Sequence, residues 1–423
     1  MIYQLSFVLF IIGHLTQANA ATRYKFSGDS EQSYGSQFTS ADSISTFSID
    51  LLKALHRSAK FNENVVCSPV SVYSALALLL LGSSGTTSDE LRQVMRLPTS
   101  SQLRNLDSVH SDIAKLLKRL QDENIRIGNK TISQVTFANA IFIDDHMELK
   151  KSYENAVNDL YKGYIKKLDF TNGFATIEHI NNWIATKTNN QISQIFTEPL
   201  NQQSSIVEVS SVYFSGGWSE RFPLHSTKKE DFNTGSRTVE VEMMNNKGKI
   251  PYQYNSNLEF ESIQLDFHGR YYSAVFVLPH KRQTISNLIG LLDKSALREI
   301  LSQTNYRGVN YKIPKMKFFS SRSLKEPLAS RGLSKLFDKA NLALMLDTSA
   351  HKISDVKHAV EIEVDELGAK ATALTSVRIE PLAAKNPPEN TVDFILDRPF
   401  IFMIQHRISG TILFTAIVRE PSQ

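Results

Sequence analysis

The feature of the sequence that most restricts the fold is a helix-forming segment that lacks a polar face. Ser68-Pro69 is typical of a helix start, because a capping serine followed by proline suits the free N–H groups of a first turn. The run from Val72 to Leu81 is apolar nearly all round and stops at Gly82. A helix of this kind needs other elements on every side. The segment is therefore predicted to lie in the centre of a large core.

Apolar periodicity divides the rest of the chain into further helices and strands. Three-to-four spacing, which is typical of amphipathic helices, is found at 44–55, 90–97, 109–120 and 177–195. Alternating or β-branched runs, which favour strands, are found at 135–141, 207–214, 239–243, 259–265 and 271–278, with a C-terminal hairpin at 400–406 and 411–418. Helices come first and long strands follow, so the predicted class is α+β with large sheets.

The chain is predicted to form one domain from 44 to 420. No Pro-rich or Ser-rich linker separates two cores between Ile44 and Pro421, and no repeat of about 20 to 50 residues is visible. Cys67 is the only cysteine, so the domain must be stable without an internal disulfide. The setting of Cys67 predicts a small buried side chain rather than a reactive thiol.

The N-terminal residues have the composition of a secretory signal followed by a polar leader. An apolar run from Leu5 to Ile12, too short to span a bilayer, precedes the small-residue pattern Ala18-Asn19-Ala20. We expect a signal peptide over 1–20, a polar, disordered leader over 21–43 and a secreted, extracellular protein. Asn129, in the sequon Asn129-Lys130-Thr131, is then a candidate glycosylation site.

The charge balance argues against two classes of partner. The formal net charge of +4 is too close to balance to favour binding to nucleic acid or to a membrane, so neither partner is expected. The local exception is a helical pattern that contains Lys115, Lys118 and Arg119. These residues fit either a weak contact with a sulfated glycosaminoglycan or an ordinary solvated helix face.

No motif in the sequence supports catalysis. There is no Gly-x-Ser-x-Gly turn, no His-Glu-x-x-His helix, no phosphate-binding glycine loop and no Cys/His spacing for a metal. His351 and His358 have no acidic partner at the spacing of a triad or a metal site, which favours structural roles. We therefore expect neither an enzyme nor a metal or cofactor site.

The segment from Glu366 to Phe400 is the most informative about function. One alternate set of its residues is compact and uncharged: Ala369, Ala371, Ala373, Thr375, Val377 and Ile379. The other set includes three charges: Lys370, Thr372, Leu374, Ser376, Arg378 and Glu380. A turn-forming tail over 381–390 follows. The pattern alone fits an edge strand before a long loop as well as a strand that can become buried.

Motifs spread along the chain resemble those of the serpin family. They are Asn64 to Ser71, Phe137 to Phe142, Ile180 to Ile184 with Thr188, Val212 to Trp218, Asp397 to Phe402 and Ile412 to Phe414. They occur in the family's order across 44–420, and the combination is far more specific than any one of them.

The resemblance implies a single domain of three β-sheets and eight or nine helices, with an exposed reactive loop over 367–393. It assigns the hinge of that loop to Gly368 and Ala369. Glu366 would lie at the top of the main sheet, with Lys315 as its ion-pair partner.

The resemblance also implies a shutter, the central region where the main sheet parts. Ser68, Ser71 and His358 match the shutter, and Trp218 matches the upper opening of the sheet. Ser210 stands where the family has an asparagine, and we expect its shorter side chain to change how easily the sheet opens. Lys370 and Leu374 also depart from the family pattern, but both belong to the set opposite the compact one.

The implied function is inhibition of a serine protease by a suicide-substrate mechanism. The target protease cuts the loop and forms a covalent acyl-enzyme, and the compact set enters the central sheet as a new strand. The inhibitor is expected to be a monomer. The alternative is a non-inhibitory member of the fold that serves as a carrier, chaperone or storage protein.

The scissile bond is expected at Leu382-Ala383, because the family's spacing puts it sixteen residues after the hinge glutamate, here Glu366. A leucine there would suit a chymotrypsin-like or elastase-like pocket. The runner-up is Lys385-Asn386, which would suit a trypsin-like protease and requires a loop three residues longer.

Overall fold

The computed structural model describes residues 40–98, 106–127, 130–200, 204–347, 351–369 and 391–421. All of them belong to one unit, Thr39–Gln423. The predicted signal peptide and Asn129 lie outside the described residues.

The described residues contain ten α-helices, of which eight have seven or more residues, against the eight or nine that the resemblance implies. Their bounds are α1 Ser40–Ser58, α2 Pro69–Gly82, α3 Gly85–Val94, α4 Asp107–Asp122, α5 Lys151–Tyr161, α6 Gly173–Lys187, α7 Ile285–Leu291, α8 Lys294–Leu301, α9 Lys325–Ala329 and α10 Lys335–Asp338.

Helix α1 begins earlier than the sequence predicts, so the last four residues assigned to the disordered leader are helical. The N–H and Oγ–H of Ser40 both donate to Asp112 Oδ2, at 3.0 and 2.7 Å. This contact with α4 fixes the first turn, which composition alone could not reveal.

The described residues also contain sixteen β-strands. Their bounds are β1 Val65–Cys67, β2 Ile125–Ile127, β3 Lys130–Asp144, β4 Tyr164–Leu168, β5 Ile206–Gly217, β6 Lys228–Asn233, β7 Thr238–Asn255, β8 Phe260–Asp266, β9 Tyr272–Pro279, β10 Tyr306–Pro314, β11 Met316–Ser323, β12 Asp355–Val364, β13 Gly368–Ala369, β14 Val392–Ile395, β15 Phe400–His406 and β16 Thr411–Val418. The last two are the hairpin that the sequence predicts.

These strands form three sheets, two of which share the long strand β7. The central sheet has seven strands in the order β11-β12-β13-β5-β3-β2, with β4 paired to β3. Strand β7 pairs with β6 and β10 along its first part, and β10 pairs with β14. The end of β7 pairs with β8, which continues through β9, β15 and β16 to β1. The predicted mixed α+β class with large sheets is confirmed.

Helix α2 lies in the centre of the fold, as its apolar surface predicts. All of its residues except Leu81 are buried, and it packs between the central sheet and strand β16. The Oγ of Ser68 accepts a hydrogen bond from the N–H of Ser71 at 3.3 Å, and Pro69 occupies the first turn. A Cβ added to Gly82 would lie 2.7 Å from Met345 Cβ, so the helix ends where neighbouring chain leaves no space for a side chain.

The predicted helix over 177–195 is wrong in its C-terminal half. Helix α6 ends at Lys187, and Asn189 and Asn190 adopt left-handed backbone conformations with φ of 53° and 58°. Those conformations reverse the chain. Ile192 and Ile195 nevertheless join the apolar cluster of α6 on the central sheet, so the spacing correctly predicted burial but not helical structure.

Cys67 lies in β1 and is fully buried, as its setting predicts. Burial raises the pKa of its thiol to about 12. The reactive thiolate form is therefore strongly disfavoured. Separately, no helix among the described residues has the length and apolarity needed to cross a membrane.

Candidate functional site

Strand β5 is paired very differently on its two edges. On one edge it runs antiparallel to β3 and pairs with eleven consecutive residues, Ser133 to Ile143. On the other edge it runs parallel to β12 and pairs with only six, Asp355 to Val360. Beyond the pair Val360–Val212 the β5–β12 pairing stops, although both strands continue, to Val364 and Gly217. We call this end of the two strands the top. We call the edge between β5 and β12 the seam.

The top of the seam is filled by the hinge residues that the resemblance assigns. Gly368 and Ala369 form β13, which runs antiparallel to β5 opposite Gly217 and Gly216. Ala369 also pairs with Val364, the last residue of β12. The chain therefore leaves β12, turns back and begins a new strand between β12 and β5.

A tight turn ends β12 ahead of the predicted position. The resemblance implies that the strand feeding the loop runs from Val360 to Glu366, but β12 ends at Val364 and Glu366 lies in the turn. Asp365 Oδ1 accepts hydrogen bonds from the N–H groups of Leu367 and Gly368, at 2.7 and 3.0 Å. The Asp365 N–H donates to the Gly368 carbonyl oxygen, at 3.0 Å. These bonds reverse the chain direction and aim the hinge into the seam.

Trp218 lies against this turn. Its indole N–H donates to the carbonyl oxygen of Asp365, and its main-chain N–H donates to that of Leu367, both at 2.9 Å. The indole is buried and stacks on Phe267, with ring centroids 4.6 Å apart. The turn is thus fixed to a buried aromatic pair at the upper opening of the sheet.

Glycine is required where β13 meets β5. Gly368 has a φ of +154°, and a Cβ on it would lie 2.1 Å from the Gly216 carbonyl oxygen and 2.7 Å from Gly217 Cα. A Cβ on Gly216 would lie 2.7 Å from the ring of Phe214. The close approach of the two backbones therefore excludes a side chain at Gly368, and the ring of Phe214 leaves no space for one at Gly216.

Glu366 lies almost buried beside the turn and is held by two donors. Its Oε1 accepts from Thr227 Oγ1 at 2.7 Å and lies 3.3 Å from Lys315 Nζ, which also approaches Glu242. Burial raises the pKa of Glu366, but the hydrogen bonds from Thr227 and Lys315 outweigh it and hold that pKa below its usual value. The structure brings Glu366 and Lys315 together, whereas Thr227, 139 residues away in sequence, could not be found from spacing.

His358, on β12, connects the lower part of the seam to α2. Its Nε2 accepts the main-chain N–H of Ser68 at 2.9 Å, so the ring proton is on Nδ1. That nitrogen faces the Oγ and the carbonyl oxygen of Ser210 on β5, at 3.0 and 3.1 Å. All three residues are fully buried, and burial lowers the pKa of His358 to about 4. A neutral imidazole thus bridges β12, β5 and the start of α2.

Asn139 ties β3 to α2 and was not among the sequence-predicted site residues. Its Oδ1 accepts from Ser71 Oγ at 3.4 Å, and its Nδ2 donates to Ser74 Oγ at 2.6 Å. The residue belongs to the motif Phe137 to Phe142. A polar amide within this otherwise apolar strand is the sequence feature that could have identified it. Ser71 is therefore joined to the β3 edge, while Ser68 is joined to the seam.

Several predicted site residues lie outside the described residues. They are Ala371, Ala373, Thr375, Val377, Ile379, Leu382, Ala383, Lys385, Asn386 and Asn129.

The basic group on α4 is exposed and partly paired. Lys118 forms an ion pair with Asp122, and Arg119 forms one with Glu123 at 2.9 Å. Pairing with acids four residues further along the chain is the arrangement of a solvated face, although it leaves Lys115 exposed. No glycosaminoglycan contact follows from it.

The described residues bring together one group that could hold a metal ion. Asp144, Asp145 and His146 offer ligand atoms within 4.8 Å of one another at the end of β3. Burial of this group is slight, and His146 already pairs with both carboxylates, at 2.8 and 2.9 Å. The hydrogen bonds and ion pairs of this group reach none of the described residues that border the seam.

Among the described residues, the central sheet thus has a seam that is only partly paired, and β13 enters it at the top. A family model described as "Serpin (serine protease inhibitor)" matches residues 42–421. The chain belongs to the serpin family. This membership supports protease inhibition, rather than catalysis, as its general activity.

Named relatives and solved structures agree with this assignment. Iripin-2 of Ixodes ricinus is 29% identical over 377 residues, 88% of this chain and 91% of that protein. Intracellular coagulation inhibitor 1 of Tachypleus tridentatus is 29% identical over 374 residues, 87% and 86% of the two chains. The native structure of the thermophilic serpin tengpin has a TM-score of 0.79 at 26% identity, covering 93% and 96%.

A thyroxine-binding protein shares the fold as well. Thyroxine-binding globulin in complex with thyroxine has a TM-score of 0.79 at 20% identity, covering 90% of this chain and 99% of its own. At that identity the likeness shows the fold alone.

Proposed function

We propose that this chain is a secreted serine protease inhibitor that acts as a suicide substrate by inserting its cut loop into the seam. The observation that carries the proposal is β13, because Gly368 and Ala369 already lie between β12 and β5. Insertion would extend a strand that has begun rather than start a new one. Nucleation, which is the costly step of strand addition, is therefore already complete at the hinge.

The register of β13 supports this path for the rest of the loop. Ala369 lies opposite Gly216, so six residues further on Thr375 would lie opposite Ser210. Counted from Val364 on the other side, the same Thr375 would lie opposite His358. Both counts agree, because Ser210 and His358 already face each other across the seam.

The same register assigns the two sets of loop residues to the two faces of the sheet. Cross-strand neighbours share a face, so the compact set containing Ala373 and Thr375 would point with Ser210 towards α2. The set containing Thr372 would lie on the opposite face, where Thr372 would be level with the charged Glu361 of β12. A threonine between Ser210 and His358 would also offer a hydroxyl to both, so insertion would leave neither buried group unpaired.

The chemistry begins as ordinary acyl transfer. The protease serine Oγ adds to the carbonyl carbon of the scissile bond, the C–N bond breaks, and the new amine leaves with a proton while the carbonyl stays esterified to the enzyme. About fourteen inserted residues would then form on the order of two dozen main-chain hydrogen bonds at roughly 1 kcal/mol each. That total is comparable to or above the ~5–15 kcal/mol that stabilises a typical protease. Distortion of the attached protease would outrun hydrolysis of the ester.

The target class depends on the scissile bond. We retain Leu382-Ala383, sixteen residues after Glu366, with Lys385-Asn386 as the runner-up. Mass spectrometry of the C-terminal peptide released by the target protease distinguishes them, since the peptide would begin at Ala383 or at Asn386.

Secretion, glycosylation and the monomeric state are further parts of the proposal. Residues 1–20 support secretion through their signal-like pattern, and Asn129 lies in a sequon. A secreted product should begin at Ala21, shift in mass on treatment with a glycosidase that removes N-linked sugars, and elute as a monomer in size-exclusion chromatography.

The decisive experiment incubates the chain with a panel of serine proteases and looks for a complex that survives denaturant. Ala373→Asp puts a charge on the set expected to be buried, and Thr372→Asp makes the same change on the opposite set. We expect Ala373→Asp to be cleaved without forming the complex and Thr372→Asp to form it. If Ala373→Asp forms the complex at wild-type yield, insertion is not the mechanism.

The carrier, chaperone or storage alternative makes a different prediction. An inhibitor should melt at a much higher temperature after loop cleavage, because the cut strand enters the sheet. A non-inhibitory member should change little, and a cleaved sample with an unchanged melting temperature would favour that alternative.

A further inference from the structure

Glu208 is a buried acid that the proposed mechanism does not use. It lies on β5 with no exposed surface, and among the described residues neither carboxylate oxygen has a hydrogen-bond partner. Buried carboxylates are normally paired or hydrogen-bonded, because an unpaired buried charge is very unfavourable. Such a group calls for a physical explanation.

Its position relates Glu208 directly to the seam. Strand alternation puts its side chain on the same face as that of Ser210, two residues along β5. It pairs with Val356 of β12 across the seam and with Ile141 of β3 on the other edge. Glu208 is thus the next residue on this face of β5 below the Ser210–His358 contact.

The surroundings favour the neutral form of the acid. Burial first, and then repulsion from Asp355, raise the pKa of Glu208 well above its usual value. Tyr153 on α5 is the nearby hydroxyl, but its O–H donates to the Leu78 carbonyl oxygen at 2.8 Å. No donor is therefore left to stabilise a carboxylate while the sheet is closed.

We infer that Glu208 couples opening of the seam to release of a proton, so that β12 and β5 part more readily as pH rises. While the strands are paired, the group remains a neutral acid. When they part, water reaches it, the O–H bond breaks, the proton passes to solvent and the electron pair stays on the carboxylate. The inference rests on the proposed function only in taking this seam as the entry path of the loop.

Other titratable groups near Glu208 do not produce this dependence. Helix α2 carries no charged side chain, and burial raises the pKa of Tyr73 on α2 and of Tyr153, so both stay neutral. On β12, His358 is neutral above about pH 4. Asp355, at the start of β12, accepts a hydrogen bond from Ser323 Oγ at 2.5 Å. The alternate residues of β3 on this face, including Ile141, are uncharged.

Uptake of a synthetic peptide measures opening of the seam without a protease. An N-acetylated peptide with the sequence of residues 370–380 should add to the intact full-length chain as an extra strand below β13, and its uptake rate can be followed from pH 5 to pH 8. Release of one proton allows a rise of up to about tenfold per pH unit until the closed form itself ionises. We expect at least a several-fold rise for the wild type.

Two variants remove the acid in different ways. Glu208→Gln keeps the size without the ability to ionise, and Glu208→Leu replaces it with an apolar group that suits the buried face. We expect a pH-independent uptake rate in both, and slower uptake than wild type at pH 8. Glu261→Gln, the same change on β8 outside the central sheet, should keep the wild-type pH profile.

A flat wild-type profile overturns the inference, and so does a wild-type slope that persists in either variant. If Glu208→Gln does not fold, the leucine variant alone decides. The result is independent of the proposed function. A chain that inhibits no protease can still show the Glu208 dependence, and a chain that forms covalent complexes can lack it.

Discussion

The two edges of β5 differ in how firmly they are closed. The β3 edge is a continuous ladder of eleven paired residues, and Asn139 fastens it to α2. The β12 edge has six paired residues, a histidine bridge, an unpartnered acid and a two-residue strand at its top. One strand thus has a permanent neighbour and a releasable one. Under the proposed mechanism we therefore expect the sheet to open at the β12 edge, because that edge has fewer paired residues than the β3 edge.

The largest expected effect comes from closing the top of the seam to the hinge. Gly368→Val would put a side chain where a Cβ alone lies 2.1 Å from the Gly216 carbonyl oxygen, so β13 could not stay in place. Cleavage should then outpace insertion. We expect at least a tenfold increase in the number of inhibitor molecules consumed per protease inactivated, measured by titration.

Gly290→Val is the matched control, because an added Cβ there has no neighbour within 4 Å. A Gly368→Val variant with wild-type stoichiometry would contradict the view that β13 starts the insertion.

The second effect is a loss of stability in acid through His358. Its pKa is about 4 in the folded chain against 6.5 for a free histidine, so the unfolded chain binds a proton that the folded chain excludes. The free energy of unfolding is therefore expected to fall by up to about 3 kcal/mol as pH falls from about 6.5 towards 4. Urea unfolding of wild type and His358→Gln at several pH values measures it as the difference between the two curves. A constant difference from pH 7 to pH 4 would contradict the prediction.

A third test compares the two edges directly. His358→Ala leaves the buried Ser68 N–H without an acceptor, which costs about 1–3 kcal/mol. Asn139→Ala leaves the Ser71 hydroxyl on the β3 edge without its acceptor, while Ser74 Oγ still donates to the Ser71 carbonyl oxygen, so a similar or smaller cost is expected. We expect both to lower the free energy of unfolding, but only His358→Ala to speed uptake of the loop peptide. Equal acceleration in both variants would show that the edges are not functionally different.

The smallest effect is expected at the Glu366 ion pair. Lys315→Ala removes a partly exposed lysine but leaves the shorter hydrogen bond from Thr227 to Glu366. We therefore expect the free energy of unfolding to fall by about 1 kcal/mol. Because the pKa of Glu366 is lowered, its contribution is present above about pH 4.5 and disappears as pH falls further. Lys317→Ala, at a more exposed lysine, should change thermal unfolding very little. If Lys317→Ala lowers the unfolding temperature more than Lys315→Ala does, the Glu366–Lys315 ion pair does not stabilise the fold as we expect.

The sequence predicted elements whose boundaries depend on local signals. Ser68-Pro69 and Gly82 predicted both ends of α2, because capping chemistry and lack of space act within a few residues. The end of α6 was missed, since apolar spacing continues past two asparagines that leave the helical conformation. Apolar spacing reports burial and says little about backbone direction.

The candidate site was predictable only where a motif carried it. Glu366, Lys315 and His358 were found by resemblance, and the structure brings each to the seam. Thr227 is a single hydroxyl far away in sequence, so only tertiary packing identifies it. Glu208 looked like an ordinary strand residue, because a sequence pattern cannot show that a carboxylate lacks partners.

The burial of Cys67 has a practical consequence for testing the proposed strand insertion. Because the chain has no other cysteine and this thiol is inaccessible in the folded state, one cysteine introduced by mutagenesis would be the sole site open to a maleimide dye under native conditions. A fluorophore could thus be attached at a chosen position without first removing a natural sulfhydryl. The wild-type background is already suited to real-time spectroscopy of the loop.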